Sequence, residues 1–401
     1  MIVHRLINGG SDYLRILQDG NHEIKQTGMI KAGILGGGQL GRMLLQAAAN
    51  YPVETFIMEK SADCPSAHLC NHFVSGDITD FDQVYAFGKG LDVLTIEIEK
   101  VNVDALERLA LEGVRVIPHP SVIKTIKSKI AQKEFYRLHQ IPTPAYVVTE
   151  QAADLAEHLH RLPAVHKLSE GGYDGRGVQI IEQPADVSLA FDAPAILETK
   201  IDIHRELSML VARNDAGEIV IYPPVEMIVD PYLNQLDYQI SPAILPDEIY
   251  WKAEAIAVKV VQSFDSAGLF AIELLVDKQK DVWVNETAPR VHNSGHHSIE
   301  GNYSSQFDML WRILLQYPLG NTDPILPTAM INLVGAAGYS GEAIYQGLQE
   351  VLAMDHCFVH IYGKSNTKPG RKMGHVTILH NDRSELLHLC NKIKHTIQVI
   401  A

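Results

Sequence analysis

The sequence has few cysteines, a deficit of positive charge and no long apolar run. Four cysteines in 401 residues are too scattered for a disulfide framework, so we expect a reducing compartment, the cytoplasm. Lys and Arg number 34 against 48 Asp and Glu, which gives a formal net charge of -14. We expect no nucleic-acid partner, because such a partner needs a basic face. We expect no membrane partner, because no apolar run is as long as a membrane span.

The composition otherwise predicts an ordinary globular protein with two or three domains. Hydrophobic residues make up 46% of the sequence and charged residues 20%. The first 28 residues are rich in polar side chains and lack the apolar core of a signal peptide. We therefore expect residues 1–28 to be an extension of unknown order ahead of the first domain.

Residues 30–117 alternate short apolar runs with amphipathic ones. The apolar runs begin near residues 30, 53, 72, 91 and 114, and apolar residues between them recur at helical spacing. Alternating strands and helices form a parallel sheet that is covered on both faces. This predicts a doubly wound, Rossmann-like α/β domain. One long helix is predicted to follow, from about Ser121 to His139.

The pattern changes after residue 140. β-branched runs joined by turn signals cover residues 164–230 and 267–288, and a helical segment lies near 250–264. This predicts an antiparallel α+β domain. The segment 318–327 is rich in proline and is predicted to link this domain to a smaller C-terminal unit.

A first glycine-rich loop has the spacing of a dinucleotide-binding loop. Gly36, Gly38 and Gly41 follow an apolar strand and open a helical run. Glu59 ends the next strand, where the dinucleotide fingerprint places an acid. These residues alone predict an NAD- or FAD-dependent oxidoreductase. The alternative is that the spacing only makes a tight turn from strand to helix.

A second glycine-rich loop, residues 171–177, lies between two strand-like runs. Its backbone N–H groups are suited to covering phosphates, as a flap does. Lys167 on the preceding strand and Arg176 within the loop favour phosphate contact. The alternative is a flexible surface hairpin.

Two acids lie in the middle of consecutive apolar strands. Glu273 and Glu286, with Asn285 beside the second, would form an oxygen-rich site for Mg²⁺. An unpaired carboxylate is costly to bury, so a function is favoured. The alternative is that each acid pairs with a nearby Lys or Arg.

The turn after the acid pair carries several hydrogen-bond donors. Arg290, His292 and Asn293 suit an oxyanion such as bicarbonate or phosphate. Zinc is the alternative, since further histidines follow, but no cysteine is near and no convincing helix carries two of the histidines.

A basic turn lies near the C-terminus. Lys364, Lys368, Arg371 and Lys372 cluster there, in a chain of negative net charge. This indicates a site for an anionic group such as a phosphate. The alternative is a solvated surface.

Together these features resemble the ATP-grasp ligases. Within that superfamily, the strings GGGQLGRML, TIEIEKV, GGYDGRG, NETAPRVHNSGHH and PGRKMGHV resemble the N5-carboxyaminoimidazole ribonucleotide synthase family of purine biosynthesis. The resemblance implies that the chain carboxylates 5-aminoimidazole ribonucleotide with ATP and bicarbonate, through carboxyphosphate, and releases ADP and phosphate. It also implies Mg²⁺, a homodimer, and N5-carboxyaminoimidazole ribonucleotide mutase as a functional partner.

The resemblance further assigns roles to individual residues. Those implied to bind ATP are Lys129, Lys167, Gly172, Tyr173, Gly175, Gly177, Glu198, Thr199, Lys200, Ile201, Glu206 and Asn285. Those implied to bind the aminoimidazole nucleotide are Gln39, Leu40, Tyr173, Asp174, Arg176, Lys364 and Arg371, with an acid from Glu97 or Glu99. The implied metal ligands are Glu273 and Glu286. The implied catalytic residues are Asp174, which is the candidate base, Arg176, Arg290, His292 and Asn293.

The resemblance divides the chain into an N-terminal domain, residues 29–122, an ATP-grasp domain, 123–320, and a C-terminal domain that binds the substrate phosphate, 321–401. Within the ATP-grasp domain, a flap subdomain covers about 140–200 and a magnesium-binding subdomain about 201–320. Two alternatives stay open. One is another ATP-grasp ligase, such as formate-dependent glycinamide ribonucleotide transformylase. The other is the oxidoreductase.

Overall fold

The structure, a computed structural model, describes residues 29–172, 177–230 and 235–401. The first domain contains the strands β1 Ile30–Leu35, β2 Val53–Glu59, β3 His72–Ser75, β4 Val93–Ile96 and β5 Arg115–Ile117. They pair in parallel in the order β3-β2-β1-β4-β5. The helices between them are α1 Gln39–Ala48, α2 Phe81–Gly88 and α3 Val103–Leu111. The predicted doubly wound α/β domain is confirmed.

Strands β1 and β4 lie side by side, and the strand order reverses between them. In such sheets, ligands bind in the crevice beyond the carboxyl ends of the strands at this reversal. The glycine-rich loop follows β1, and Glu97 and Glu99 follow β4. The order of the strands therefore brings the loop and the two acids to the same crevice.

The predicted long helix from Ser121 to His139 is wrong, because the structure has two helices, α4 Pro120–Lys127 and α5 Lys129–Leu138. Ser128 separates them with an extended backbone (φ -109°, ψ 121°), and its hydroxyl accepts the N–H of Ala131 at 3.3 Å. A serine that caps a new helix satisfies an N–H group that would otherwise be unpaired. The break places Lys129 at the start of α5, where its N–H donates to Ser169 O at 2.8 Å.

The middle of the chain forms a small and a large antiparallel sheet, which confirms the predicted α+β class. The small sheet pairs in the order β6-β9-β7-β8, with β6 Tyr146–Thr149, β7 Ala164–Leu168, β8 Val178–Ile181 and β9 Ala195–Thr199. The 3-10 helices Ala152–Arg161 and Pro184–Leu189 pack against it. The large sheet begins with β10 Ile203–Arg213, β11 Ile219–Ile221, β12 Val225–Asp230, β13 Gln235–Ser241, β14 Gly268–Asp277 and β15 Val282–Ala288. The helix α6 Asp247–Phe264 packs against it.

The large sheet continues into the C-terminal part of the chain. Its further strands are β16 Thr328–Val334, which pairs with β13, and then β19 Cys357–Ile361 and β21 Lys372–Leu379. Two separate two-stranded antiparallel sheets follow: one pairs β17 Gly341–Glu342 with β20 Asn366–Thr367, and the other pairs β18 Ile344–Gln346 with β22 Gln398–Ile400. The remaining helices of the described chain are the 3-10 helix Asn293–Gly295, α7 Ser298–Gly301, α8 Gln306–Leu314, α9 Leu348–Leu352 and α10 Arg383–Thr396. The predicted linker 318–327 thus joins helix α8 to strand β16 of the large sheet.

A shared core joins the first domain to the large sheet. Helices α1 and α8 pack together, with Met43 and Leu44 against Phe307, Leu310 and Trp311. The Trp311 indole donates to the backbone oxygen of Leu44 at 2.7 Å. This packing holds the glycine-rich loop close to the strands that carry the acid pair. Across the described ranges, no helix combines the length and apolar character needed to cross a membrane.

Candidate active site

Two carboxylates of the protein accept hydrogen bonds from the backbone N–H groups of the first glycine-rich loop. Glu97 accepts the N–H groups of Gly38 and Gly41, each at 2.5 Å, through its two oxygens. Glu59 accepts the N–H of Gly37 at 3.1 Å. Gly36 has φ +102°, and a Cβ there would lie 2.4 Å from Glu97 Cγ, so only glycine fits beside this acid.

This arrangement gives the loop a structural role. The start of a helix attracts an anion, and in dinucleotide-binding proteins the pyrophosphate takes that position. Here Glu97 takes it, although burial raises the pKa of this carboxyl against the opposing effect of the Gly41 and Gly38 amides. Glu59, which matched the fingerprint, also bonds to the loop. The loop N–H groups that would bind the pyrophosphate of a dinucleotide are therefore hydrogen-bonded to carboxylates of the protein.

The second acid after β4 points to a different group. Glu99 Oε2 accepts from the guanidinium of Arg290 at 2.9 Å. Arg290 also donates to Val291 O at 3.0 Å, and its guanidinium is mostly buried. Of the two acids left open by the sequence, Glu99 is therefore the one that contacts the donor turn, because both oxygens of Glu97 are bonded to the glycine-rich loop.

The acid pair lies on neighbouring strands. Glu273 and Glu286 are opposite each other in the register of β14 and β15, and a register shift follows immediately. Such a bulge re-aims side chains. Accordingly, Asn285 Nδ2 donates to Glu273 Oε2 at 3.3 Å although Asn285 and Glu286 are consecutive. Burial, and then the nearby Glu286 carboxylate, raise the pKa of Glu273, whereas the Lys129 ammonium lowers the pKa of Glu286.

Two of the predicted ATP-binding lysines contact this acid cluster. Lys129 Nζ lies 2.5 Å from Glu286 Oε2, as the ion-pair alternative predicted for that acid. Lys167 Nζ donates to Asn285 Oδ1 at 2.9 Å and lies 2.6 Å from Glu198 Oε2. The site thus places two ammonium groups directly beside the acid pair.

Lys133 was not predicted from the sequence, yet it is buried at this site. Its Nζ lies 2.5 Å from Glu198 Oε1, and both side chains are 3% exposed. Burial lowers the pKa of Lys133 to about 8. Burial raises the pKa of Glu198, but Lys167 and Lys133 more than offset this effect, so it lies below its ordinary value. The spacing in the sequence could have indicated Lys133, since it follows Lys129 by one helical turn and therefore lies on the same face of α5.

The turn after the acid pair contains a buried amide without a partner. Asn293 is 7% exposed, and within the described chain neither its Oδ1 nor its Nδ2 has a hydrogen-bond partner. An unpaired buried amide is costly, and a ligand that pairs with it removes the cost. In the same turn, His292 Nε2 lies 3.8 Å from Glu273 Oε1. The turn therefore suits a small anion beside the acid pair.

The basic turn reaches the glycine-rich loop of the first domain. Lys364 Nζ donates to Gln39 Oε1 at 2.6 Å and to Lys372 O at 2.7 Å. Arg371 donates to Asn366 O at 2.5 Å. Arg42 on α1, which is not among the predicted residues, lies close to the same turn, because a Cβ on Gly363 would be 3.7 Å from its guanidinium. Cations from both ends of the chain therefore meet at the crevice beyond β1.

Comparisons with known proteins match this architecture. Three family models match the chain: the ribonucleotide synthetase preATP-grasp domain over residues 29–127, the ATP-grasp domain over 134–307 and the phosphoribosylaminoimidazole carboxylase C-terminal domain over 328–389. The N5-carboxyaminoimidazole ribonucleotide synthase of Mycobacterium bovis is 34% identical over 363 residues, which cover 88% of this chain and 84% of that protein. The chain belongs to the N5-carboxyaminoimidazole ribonucleotide synthase family.

Solved structures of the N5-carboxyaminoimidazole ribonucleotide synthase family have the same fold. The synthetase from Thermotoga maritima is 34% identical with a TM-score of 0.86, over 93% of this chain and 100% of that one. The Aspergillus clavatus synthase, in complex with ADP and 5-aminoimidazole ribonucleotide, is 29% identical with a TM-score of 0.81, over 90% of this chain and 99% of that one. The ATP-grasp fold and the family resemblance are confirmed, and the oxidoreductase alternative is left without support.

The other residues that the family resemblance selected lie in several places. Thr199 and Lys200 are exposed at the end of β9, and Lys200 pairs with Glu182. Ile201, Gly172 and Gly177 are partly buried, as are Leu40 at the start of α1 and Glu206 on β10. Burial raises the pKa of Glu206. The predictions on Tyr173, Asp174, Gly175 and Arg176 lie outside the described residues, and the roles of all these residues stay predictions.

The donor set of the acid pair fits Mg²⁺. In the part of the chain that the structure describes, no three His, Cys, Asp or Glu side chains are grouped to hold a metal. Mg²⁺ commonly uses one or two carboxylates and takes further ligands from substrate phosphates and water. Glu273 and Glu286 supply two carboxylates, and a cation would relieve the like-charge repulsion that helps to raise the pKa of Glu273.

Proposed function

We propose that the chain carboxylates 5-aminoimidazole ribonucleotide to N5-carboxyaminoimidazole ribonucleotide. ATP and bicarbonate are the co-substrates, carboxyphosphate is the intermediate, and ADP and phosphate are the products. The family to which the chain belongs supports an ATP-dependent ligase. The Aspergillus clavatus relative binds ADP and 5-aminoimidazole ribonucleotide, which supports the nucleotide substrate.

The observation that carries this proposal is the unpartnered amide of Asn293 in the turn beside the acid pair. A phosphoryl acceptor must lie next to the ATP phosphates, and bicarbonate is a small anion that accepts and donates hydrogen bonds. Arg290 supplies positive charge in the same turn. An apolar or cationic acceptor would leave the amide of Asn293 unpaired in a buried site.

We assign the binding of the ATP phosphates to Lys129 and Lys167. Both are held in place by carboxylates or amides of the site, so little reorganisation is needed when phosphates replace those partners. Glu273 and Glu286 would hold Mg²⁺, which supplies charge neutralisation at the phosphates when it is bound. Catalysis of phosphoryl transfer is mostly positioning and electrostatic stabilisation, and these side chains provide both.

We assign the nucleotide substrate to the crevice between the first domain and the basic turn. Lys364 and Arg371 would bind its 5′-phosphate, while Gln39 already contacts Lys364. The carboxyl group then passes from carboxyphosphate to the exocyclic amine, with loss of phosphate and of the amine proton. The flap, residues 171–177, would exclude water from the labile intermediate.

A coupled ADP-release assay tests the proposal. ADP formation should require bicarbonate and should be stimulated strongly by 5-aminoimidazole ribonucleotide. Formate and glycinamide ribonucleotide form the matched control pair, because another ATP-grasp ligase would use them. Equal ADP formation with that pair would show that the proposed reaction is wrong.

We also propose, from the family resemblance, that the chain is a cytoplasmic homodimer whose unstable product is consumed by a mutase. Sedimentation equilibrium tests the dimer: a single species of one-chain mass at micromolar concentration contradicts it. Addition of the mutase should raise the recovery of carboxylated product, and no increase would contradict the partnership.

A further inference from the structure

His292 is held in one ring orientation by the turn that it begins. It is the N-cap of the 3-10 helix Asn293–Gly295, and its Nδ1 accepts the backbone N–H of Ser294 at 3.3 Å. The Ser294 hydroxyl oxygen lies 2.9 Å from the same Nδ1. A backbone N–H group only donates, so Nδ1 presents a lone pair and carries no proton.

The hydroxyl of Ser294 is held in turn by Ser208 on β10. The two Oγ atoms are 2.7 Å apart, and both residues are 0% exposed. Because Nδ1 is an acceptor, the Ser294 hydroxyl donates to it, and the Ser208 hydroxyl donates to Ser294. The chain Ser208–Ser294–His292 therefore has a single direction of donation, and such ordered chains strengthen each bond.

The ring proton of His292 then lies on the other nitrogen. In a neutral imidazole, one nitrogen donates and the other accepts, so Nε2 is the donor when Nδ1 is the acceptor. Nε2 faces the acid pair, 3.8 Å from Glu273 Oε1. The unpartnered amide of Asn293 and the guanidinium of Arg290 are in the same turn. A residue that removes a proton from substrate would need the reverse arrangement, with a lone pair on Nε2.

We infer that Ser208 and Ser294 are positioning residues that fix His292 as a hydrogen-bond donor through Nε2, aimed at an oxygen of the bicarbonate-derived substrate. The identity of that oxyanion rests on the proposed function. The assignment of Nε2 as the donor does not rest on the proposed function, because it follows from hydrogen bonds within the protein. On this basis His292 binds and orients the oxyanion, and another group accepts the amine proton.

NMR of the protein labelled with ¹⁵N-histidine tests the tautomer directly. Long-range ¹H–¹⁵N correlations distinguish the two neutral tautomers from imidazolium, and the His292 signals are those lost in His292→Gln. At neutral pH the wild type should show the Nε2–H tautomer. Ser294→Ala loses the hydroxyl contact at 2.9 Å and keeps only the longer bond from the backbone N–H of residue 294, so it should show a mixture in which the Nε2–H tautomer still predominates. A wild-type spectrum with a proton on Nδ1 would overturn the inference, whether or not the protein carboxylates aminoimidazole ribonucleotide.

Kinetics with ATP, bicarbonate and 5-aminoimidazole ribonucleotide test the donor role. His292→Gln places an amide N–H close to the position of Nε2 and has no titratable group, so kcat should stay within about tenfold of wild type. His292→Leu removes the donor, and kcat should fall about 10²–10³-fold. If both variants lose activity equally, His292 is not a simple donor and the inference is wrong.

The chain contains a matched control for the positioning serines. His119 caps α4 in the same way, since its Nδ1 accepts Ser121 N–H at 3.3 Å and lies 2.7 Å from Ser121 Oγ. Ser294→Ala should raise the KM for bicarbonate or lower kcat by about tenfold, with the KM for ATP unchanged. Ser208→Ala should have the same effect, but smaller. Ser121→Ala should leave kcat, the KM for bicarbonate and the KM for ATP unchanged. Equal effects of Ser121→Ala and Ser294→Ala would show that Ser294 has a structural role only.

Discussion

Glu198 neutralises two lysines in the interior of the ATP-grasp domain, and its replacement by Gln gives a sharp prediction. Lys133 approaches one carboxylate oxygen and Lys167 the other, at 2.5 and 2.6 Å. Glu198→Gln keeps the shape of the side chain but removes its charge. Lys167 keeps its bond to Asn285. Lys133 keeps the hydroxyl of Thr143 and the ring of Tyr136, whose centroid is 5.9 Å from its Nζ. Neither carries a charge, so its ammonium becomes a buried charge without a counter-ion.

The expected loss of stability follows from this stranded charge. Removal of one partner of a buried ion pair typically costs 3–5 kcal/mol. We expect about 3 kcal/mol for Glu198→Gln, because Lys133 retains one hydrogen bond and its ammonium can lose the proton. Lys133→Met is the matched variant and should cost less, because Glu198 remains paired with Lys167. The double variant removes the stranded charge and should be more stable than Glu198→Gln alone.

The loss should depend on pH in a defined direction. Burial lowers the pKa of Lys133 to about 8 in the folded protein, against about 10.4 in an unfolded chain. Without Glu198, the folded-state pKa falls further. Between that lower value and about 8, the unfolded variant binds a proton that the folded variant lacks, so stability rises with pH. The deficit relative to wild type should therefore shrink as pH rises towards 8 and then level off.

Urea unfolding measured across this pH range tests the reasoning. The free energy of unfolding is compared for wild type, the two single variants and the double variant. A loss below about 1 kcal/mol for Glu198→Gln would refute the assignment of a stranded charge, since that is the range of exposed ion pairs. A double variant no more stable than Glu198→Gln would refute it as well.

Three further predictions concern binding. Lys364→Met should raise the KM for 5-aminoimidazole ribonucleotide about tenfold or more and leave that for ATP unchanged in steady-state kinetics; equal changes would contradict a role at the nucleotide phosphate. In thermal unfolding, MgATP should raise the Tm while millimolar NAD⁺ should not, because Glu97 occupies the loop amides. A comparable rise with NAD⁺ would contradict that reading of the loop. Lys129→Met should weaken ATP binding measured by calorimetry, whereas Lys127→Met, whose ammonium contacts Val101 O instead, is the control and should not.

Local patterns were sufficient for most of the fold. Strands were predicted to start near residues 30, 53 and 72, and β1, β2 and β3 begin there. Burial explains the apolar run of β1, whose last four residues are buried in the parallel sheet, whereas the edge strand β3 is mostly exposed. The break at Ser128 was missed, since the apolar spacing continues across it. What interrupts the helix is a hydrogen bond from Lys129 N–H to Ser169, and a contact over such a distance leaves no local pattern.

The sequence predicted individual residues of the site but not the contacts between them. The acid pair and Lys167 were chosen because polar residues in apolar strands are costly to bury. The role of Glu97 could not be chosen over that of Glu99, because both lie in one short apolar segment. Only the parallel pairing of β1 with β4 shows that Glu97 reaches the loop amides. Lys133 was missed for a related reason, since its partner Glu198 is far along the chain.

The pairing of β13 with β16 has a consequence for dividing this protein into pieces. A fragment ending near residue 320 would lack the strands from β16 onward and would expose the backbone edge of β13, with the residues that pair with Ile331 and Ala329 left unbonded. Exposed strand edges recruit other strands and promote aggregation. We therefore expect that the acid pair and the basic turn will not be obtained as independent, soluble halves, and that an exchange of the C-terminal part between relatives has to carry a strand that matches β13.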